Sequence, residues 1–391
     1  MKIQLDLRIS KSMHTLYNSY FESPPKGVEY KKSEFLMINK KNFNSFRKLY
    51  KFIKRILGNS FFGSNQKIND LLRQDKEFDI IHFANHLGST KKPCVADYEN
   101  LTSFVGQFCE EKNRKNALNL LSQKNLKYLF PMNKEAEESF KLFFKRENLK
   151  IKQEIIYPLA SIPKEFTRKI KKENIVLFSG SSNILNQEGI HNKGSYEVIL
   201  AFEKLSDSFP DWKFVFIGKT PYGMHVSQKS NFIIKEPVPQ KELWKIMNKS
   251  KIFIQPSYVT PAMAFVEAMH FSLPIITYDS NANKEYIDSK NGILILPEPI
   301  PLFNKYKVGI FSSKVINKIR ENGEKNSEKI FKVISKLIKN EKAINNLGKE
   351  SFKRVTSGKF SIKERNIKLL KIYNEILKNS RLNEQLIKPL N

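Results

Sequence analysis

Lys193-Gly194 and Glu267 are the residues whose types and spacing best suit chemistry in this chain. An apolar run, NIVLFS at 174–179, leads into Gly180 and Ser181, and Lys193 then opens an amphipathic stretch over 193–208. A strand ending on glycine lets backbone approach a phosphate, and a lysine at a helix N-terminus adds a full charge to the partial positive charge there. A tight turn followed by a surface lysine fits the same residues. Gly218 ends a second such strand, KFVFI at 213–217. Glu267 sits among Phe265, Val266, Ala268 and Met269. A carboxylate in so apolar a helix needs a partner or a task. Two ribose hydroxyls would suit it, and an exposed helix-face glutamate is the plainer reading. Thr260-Pro261 reads as N-cap and first-turn proline of that helix, so the free N–H groups of its first turn are placed to hold a phosphate or sugar hydroxyl. His82 lies within the run FDIIHFA and His86 just after it, and either is able to orient a substrate hydroxyl. Capped loops or satisfied core residues are the plain reading of both.

Such residues need a scaffold that gathers strand ends. Short apolar runs alternate with longer amphipathic segments, which is the pattern of an α/β protein. Strands are expected at 78–84, 93–97, 126–130 and 154–157, with helices at 107–124 and 133–147 and a basic amphipathic helix within 40–76. The rhythm is clearer in strands at 174–179, 213–217, 231–235, 251–255, 274–278 and 292–296. Helices at 193–208, 239–249 and 261–271 separate them. Residues 300–320 read as a loop, followed by helices at 326–339, 341–355 and 361–378, the last opened by Ser361 and Glu364 as a capping box. Parallel strands with crossover helices give two Rossmann-like domains facing a cleft. The polar segment 161–173 is the natural linker.

The chain has 391 residues, a hydrophobic fraction of 40% and a formal net charge of +29. That length and apolar content exclude intrinsic disorder. Of 68 basic residues, 57 are lysine, spread along the whole chain. Nucleic-acid readers lean on arginine, so surface lysine bias is the plainer account, with attraction to an anionic membrane second. Two cysteines, Cys94 and Cys109, make neither a disulfide scaffold nor a zinc site. The N-terminus lacks an apolar signal-peptide run, and no segment is apolar enough to span a bilayer. A cytoplasmic protein is expected, with any membrane contact peripheral, through the basic stretch 41–58.

The second half resembles the C-terminal domain of GT-B glycosyltransferases of the retaining family 4, glycosyl transferases group 1. The resemblance rests on an ordered series: NIVLFSG, Asn192-Lys193-Gly194, WKFVFIG, VPQKELWKIMNKSKIFIQPS, VEAMHFSLPIITYD, Asn291-Gly292 and FSIKERNIKLLKIYNEIL. It implies domains at 1–165 for the acceptor and 166–360 for a nucleotide-sugar donor, with a helix over 361–391 crossing back to the first. It implies transfer of a sugar to a glycan or lipid-linked acceptor with retention, no metal or other cofactor, and no nucleic-acid partner. Lys193 would bind the donor diphosphate, Glu267 the ribose, and Gly180 and Thr260 to Met263 would bring backbone to the donor. The family's earlier glutamate is replaced by Val259, its Ala-Cys-Gly by His270-Phe271-Ser272, and no arginine lies between Arg168 and Arg320. A GT-B scaffold without catalysis, serving as partner subunit or glycan-binding module, is the alternative.

Overall fold

A computed structural model describes residues 1–7, 15–32, 77–106, 111–147, 149–168, 170–180, 187–227, 229–300, 303–307, 309 and 312–387. Ser181, Cys109, residues 107–110 and the basic stretch 41–58 lie outside them. The chain divides into two compact units, residues 1–157 with 365–391, and residues 158–364.

The first unit is a six-stranded parallel sheet in the order β2-β1-β3-β4-β5-β6. Its strands are β1 (Lys2–Leu7), β2 (Glu29–Lys32), β3 (Ile80–Ala84), β4 (Cys94–Tyr98), β5 (Leu126–Pro131) and β6 (Lys152–Gln153). Every residue of β3 and β4 is buried, as expected of central strands covered on both faces. The helices are α1 (Thr15–Glu22), α2 (Thr102–Val105), α3 (Glu111–Leu121) and α4 (Lys134–Phe143). Asn133 caps α4 by accepting from the Ala136 N–H at 2.7 Å.

The second unit repeats the design, in the order β12-β11-β10-β7-β8-β9, again all parallel. Its strands are β7 (Ile175–Ser179), β8 (Lys213–Ile217), β9 (Phe232–Lys235), β10 (Ile252–Ile254), β11 (Ile275–Tyr278) and β12 (Gly292–Ile295). Its helices are α5 (Gln187–Asn192), α6 (Ser195–Ser208), α7 (Gln240–Lys249), α8 (Ala262–His270), α9 (Asn283–Tyr286), α10 (Ser313–Glu321), α11 (Gly323–Ile338) and α12 (Glu341–Thr356). The core packs Phe178, Phe202, Phe214 and Phe216 with Ile330 and Ile334 of α11. In each sheet the strand order reverses once. The chain turns from one side of β1 to the other at β3, and from one side of β7 to the other at β10. Crevices at such reversals, outside the carboxyl ends of the strands, are where open α/β sheets bind ligands.

The last helix, α13 (Ile362–Ile387), belongs to the first unit from Arg365 onward. Arg365 is 4% exposed and donates to Ser19 Oγ (2.6 Å), Ser19 O (3.1 Å) and Ser23 O (2.7 Å). Its guanidinium lies 4.7 Å from the centre of the Tyr20 ring. Tyr373 adds a hydroxyl contact to Tyr30 at 3.0 Å. One buried cation therefore fixes this helix to α1.

Three expectations about elements are corrected. Residues 300–320 are not simply a loop: Ser312 caps α10, and Val315 and Ile319, four apart on one face, pack inward. The strand expected at 154–157 is β6 two residues earlier. The Glu154 and Ile156 N–H groups still donate to Leu129 and Pro131, so the chain keeps alongside β5 beyond β6. The final helix runs on to Ile387.

Replacing Arg365 by methionine should lower stability by about 3 kcal/mol, because two backbone carbonyls and a hydroxyl lose a charged donor inside the protein. Urea unfolding of the full chain followed by near-UV circular dichroism measures this; an unchanged midpoint would show that the clamp contributes nothing.

Candidate functional site

The reversal between β7 and β10 is built on one tight backbone approach. Gly194 precedes α6 with φ +72°, and a Cβ there would lie 2.3 Å from the carbonyl oxygen of Pro256. Only glycine fits. Lys193, half-buried, stands immediately before this contact. Asn192 O then accepts from the Tyr258 N–H (2.9 Å) and from Ser257 Oγ (3.1 Å), which ties the lysine's loop to the turn after β10. Gln255 crosses to β7, donating from Nε2 to Ser179 O at 2.9 Å.

Gly180 and Gly218 meet side by side at the ends of β7 and β8. Gly180 N–H donates to Ile217 O at 2.7 Å, and Gly218 holds φ +152°. A Cβ on Gly180 would make only ordinary contacts, so its bareness leaves backbone uncovered rather than relieving a clash.

The turn 256–261 delivers the chain to α8. Pro261, not Thr260, occupies the N-cap position, and no side chain caps the helix. The expected Thr260 cap is absent because its hydroxyl is used elsewhere, donating to Asn281 Oδ1 at 2.9 Å. Ala262, Met263 and Ala264 are partly exposed, whereas Phe265 to Met269 are buried. An uncapped first turn keeps backbone N–H groups for an anion.

Glu267 lies one and a half turns further on, 5% exposed. It accepts from Gln240 Nε2, at the start of α7, at 3.0 Å. Burial pushes its carboxyl up to about 7, with Gln240 and Trp244 pulling it partly back. The Trp244 indole N–H faces the carboxylate but falls short of hydrogen-bond geometry, so this buried donor has no hydrogen-bond partner among the described residues. A carboxyl beside a buried, unpartnered N–H and an amide is suited to vicinal hydroxyls.

Lysine also serves the frame. Lys172 Nζ donates to Ser250 O (2.7 Å) and Phe271 O (2.8 Å), the C-caps of α7 and α8, where a cation opposes both helix dipoles. Burial lowers its pKa to about 8.

The two histidines of the first unit have different places. His82 is fully buried, with Nε2 on Asp97 Oδ2 at 3.0 Å and Nδ1 on the Tyr373 hydroxyl at 3.3 Å. Both ring nitrogens are engaged within the core. His86 sits past the end of β3, at the reversal beside β1, with Nδ1 on Ala84 O at 2.9 Å and Nε2 3.8 Å from Asp6 Oδ2. Sequence reading missed Asp6, whose place in KIQLDL looks like ordinary strand alternation. It also missed Tyr258, and it gave no individual role to Gln240, Trp244 and Gln255, which lie within the quoted VPQKELWKIMNKSKIFIQPS but gain their roles only through the fold.

Solved structures share this architecture from end to end. HepE from Anabaena, solved with UDP, superposes with a TM-score of 0.53 at 12% identity over 96% of this chain and 99% of its own. The fold is GT-B. A glycosyltransferase from Rickettsia africae has a TM-score of 0.51 at 13% identity, covering 97% of this chain and 99% of its own. TarM from S. aureus, solved with UDP, has 0.50 at 14% identity over 79% of this chain. This chain spans 58% of TarM and 57% of the chain in the GtfA/B complex. The family glycosyl transferases group 1 matches residues 161–305, which include every candidate in the second GT-B unit. No curated protein matches by sequence.

Two predictions follow from these buried groups. Gly194→Ala should cost several degrees of thermal midpoint, since the new methyl forces Pro256 aside at a left-handed backbone; differential scanning fluorimetry reads this. The second concerns pH. Glu197 and Glu267 are raised by burial from 4.5 to about 7, so the folded state keeps protons that the unfolded state has lost. Their contribution falls as pH rises from about 4.5 to 7. His191 and His270 are lowered from 6.5 to about 4, mainly by burial, so their contribution rises between about pH 4 and 6.5. The pairs offset each other. Glu267→Gln should therefore make stability climb more steeply with pH between 4.5 and 6.5 than in the wild type, as calorimetric unfolding at stepped pH would show.

Proposed function

We propose that this protein is a glycosyltransferase that takes a sugar from a nucleoside-diphosphate donor held by the second unit and passes it to a glycan or lipid-linked acceptor held by the first. The observation carrying this reading is the approach of Gly194 to Pro256 at the reversal between β7 and β10, which holds Lys193 and the start of α6 against the turn leading to the uncapped α8, the helix that also carries the buried Glu267. The match of 161–305 to glycosyl transferases group 1, and the UDP in HepE and TarM, support it.

The chemistry follows from charge. When the bond between the anomeric carbon and the diphosphate breaks, the electron pair leaves with phosphate oxygen. Lys193 and the N–H groups opening α6 and α8 stabilise that growing charge more than the ground state, which is where rate is gained. Glu267, with Gln240 and Trp244, would hold the ribose. His86 and Asp6 would orient the acceptor hydroxyl. No metal is needed in this scheme, because lysine and helix termini take the role of the cation. Retention of configuration and membership of family 4 are part of the proposal through the sequence resemblance, and peripheral membrane association through the basic stretch 41–58. Val259, where the family places a carboxylate, favours the second reading, a GT-B scaffold that binds donor or glycan without turnover.

A panel of UDP, GDP and ADP sugars, scored for transfer and hydrolysis, separates the two readings. Binding of a nucleoside diphosphate with product formation supports transfer, and binding without any turnover supports the scaffold. Glu267→Ala should weaken the preferred nucleoside diphosphate about 10- to 100-fold, the loss expected when a charged acceptor of two hydroxyls is removed. A carboxylate receiving two hydroxyls must be ionised, so binding near pH 6.5 should release a proton. Titration calorimetry in buffers of different ionisation enthalpy measures that release, and the affinity should fall on acidification below pH 7. An affinity independent of both Glu267 and pH would remove the ribose assignment.

A further inference from the structure

The turn between β10 and α8 belongs to no ladder, yet it seats Gly194 and aims the first turn of α8. Tyr258 lies at its centre, 1% exposed. Its backbone N–H donates to Asn192 O (2.9 Å), and its carbonyl accepts from Ser280 Oγ (2.8 Å). Its hydroxyl reaches into the core and donates to Glu197 Oε1 at 2.7 Å, while accepting from Asn326 Nδ2 at 3.1 Å. The Tyr278 hydroxyl approaches the same carboxyl oxygen at 3.5 Å.

Glu197 is fully buried in the first turn of α6, three residues beyond Gly194, and its Oε2 has no hydrogen-bond partner among the described residues. Packing alone would be served by leucine and phenylalanine, and a buried carboxyl with an idle oxygen costs stability. What the polar pair supplies is direction. A hydrogen bond from the tip of Tyr258 fixes the turn against the same helix whose N-terminus Lys193 and Gly194 precede.

We propose that Tyr258 and Glu197 are positioning residues for the donor diphosphate, their hydrogen bond keeping the 256–260 turn in register with the Lys193 loop so that both helix N-termini meet one ligand. The proposal rests on the donor-binding reading above. Neither side chain touches the ligand. Loss of the bond lets the turn shift, and a loop and a helix end that must converge on two phosphates lose their common geometry.

The test uses the full chain, titrated with UDP, GDP and ADP, with thermal midpoints measured alongside. Tyr258→Phe should weaken the nucleotide preferred by the wild type about tenfold, the loss of one buried hydrogen bond. Glu197→Gln keeps an acceptor for the phenol and should bind within about twofold of wild type, whereas Glu197→Leu should resemble Tyr258→Phe. The Glu197→Leu/Tyr258→Phe double variant is decisive. An apolar pair should restore much of the thermal midpoint while leaving nucleotide affinity about tenfold reduced. Wild-type affinity in the double variant, or weakening of Glu197→Gln equal to that of Glu197→Leu, would overturn the positioning role. A wild type that binds none of the three nucleotides would instead overturn the donor reading, and this inference with it.

Discussion

The reversal in the second unit depends on a close approach of main chains, Gly194 against the carbonyl of Pro256. Parallel sheets bring strand ends to one edge, but they leave a gap where the strand order reverses, between β7 and β10. Here that gap is closed by backbone, since no side chain fits between the two segments. Everything charged at the reversal is placed by this contact. Lys193 is one residue before it, α6 begins one residue after it, and the turn leading to α8 starts on its other side. A rigid contact of this kind is cheap to hold in place, because neither partner has rotamers to lose. That is the property a phosphate-binding site needs, where the ligand is met mainly by N–H groups whose directions are set before it arrives.

The two units use the same topology and spend polar groups differently. Both have a reversal and buried carboxylates near it. In the first unit the His82–Asp97 pair lies within the sheet, closed over by Tyr373 and Tyr30, and helps to fix α13. His86, four residues on and past the strand end, pairs with Asp6 at the edge. Position along the strand separates a histidine closed inside the sheet from one buried at its end beside Asp6. In the second unit the same division separates Glu197, locked under the turn, from Glu267, beside an idle indole N–H.

Sequence patterns carried much of this fold and a smaller part of the site. Buried central strands such as β3, β7 and β8 are continuous apolar runs, so they were legible. Strand β1 was not read although KIQLDL alternates as a strand does, because it lacks the continuous apolar run that marks β3, β7 and β8; Gln4 and Asp6 are nevertheless buried in the fold. The α10 helix was hidden in a region of mixed composition, where only Ser312 and the four-residue spacing of Val315 and Ile319 marked it. Lys193, Gly194 and Glu267 stood out because they lie in local motifs. Tyr258, Gln240 and Trp244 did not, since their roles come from contacts across 20 to 60 or more positions of sequence, which no local pattern encodes.

The net charge of +29 asks how little of it such a site needs. Buried Arg365 and half-buried Lys172 are occupied in holding helices, Arg365 on the carbonyls of Ser19 and Ser23, Lys172 on the ends of α7 and α8. Ion pairs such as Lys204–Glu328 and Lys318–Glu321 lie in solvent, where each contributes little and is screened within about 10 Å at moderate salt. A diphosphate met by Lys193 and two helix N-termini is neutralised locally, so the surplus is not explained by the donor. It acts instead as a diffuse field over the surface. Such a field is screened by salt and carries no specificity of its own.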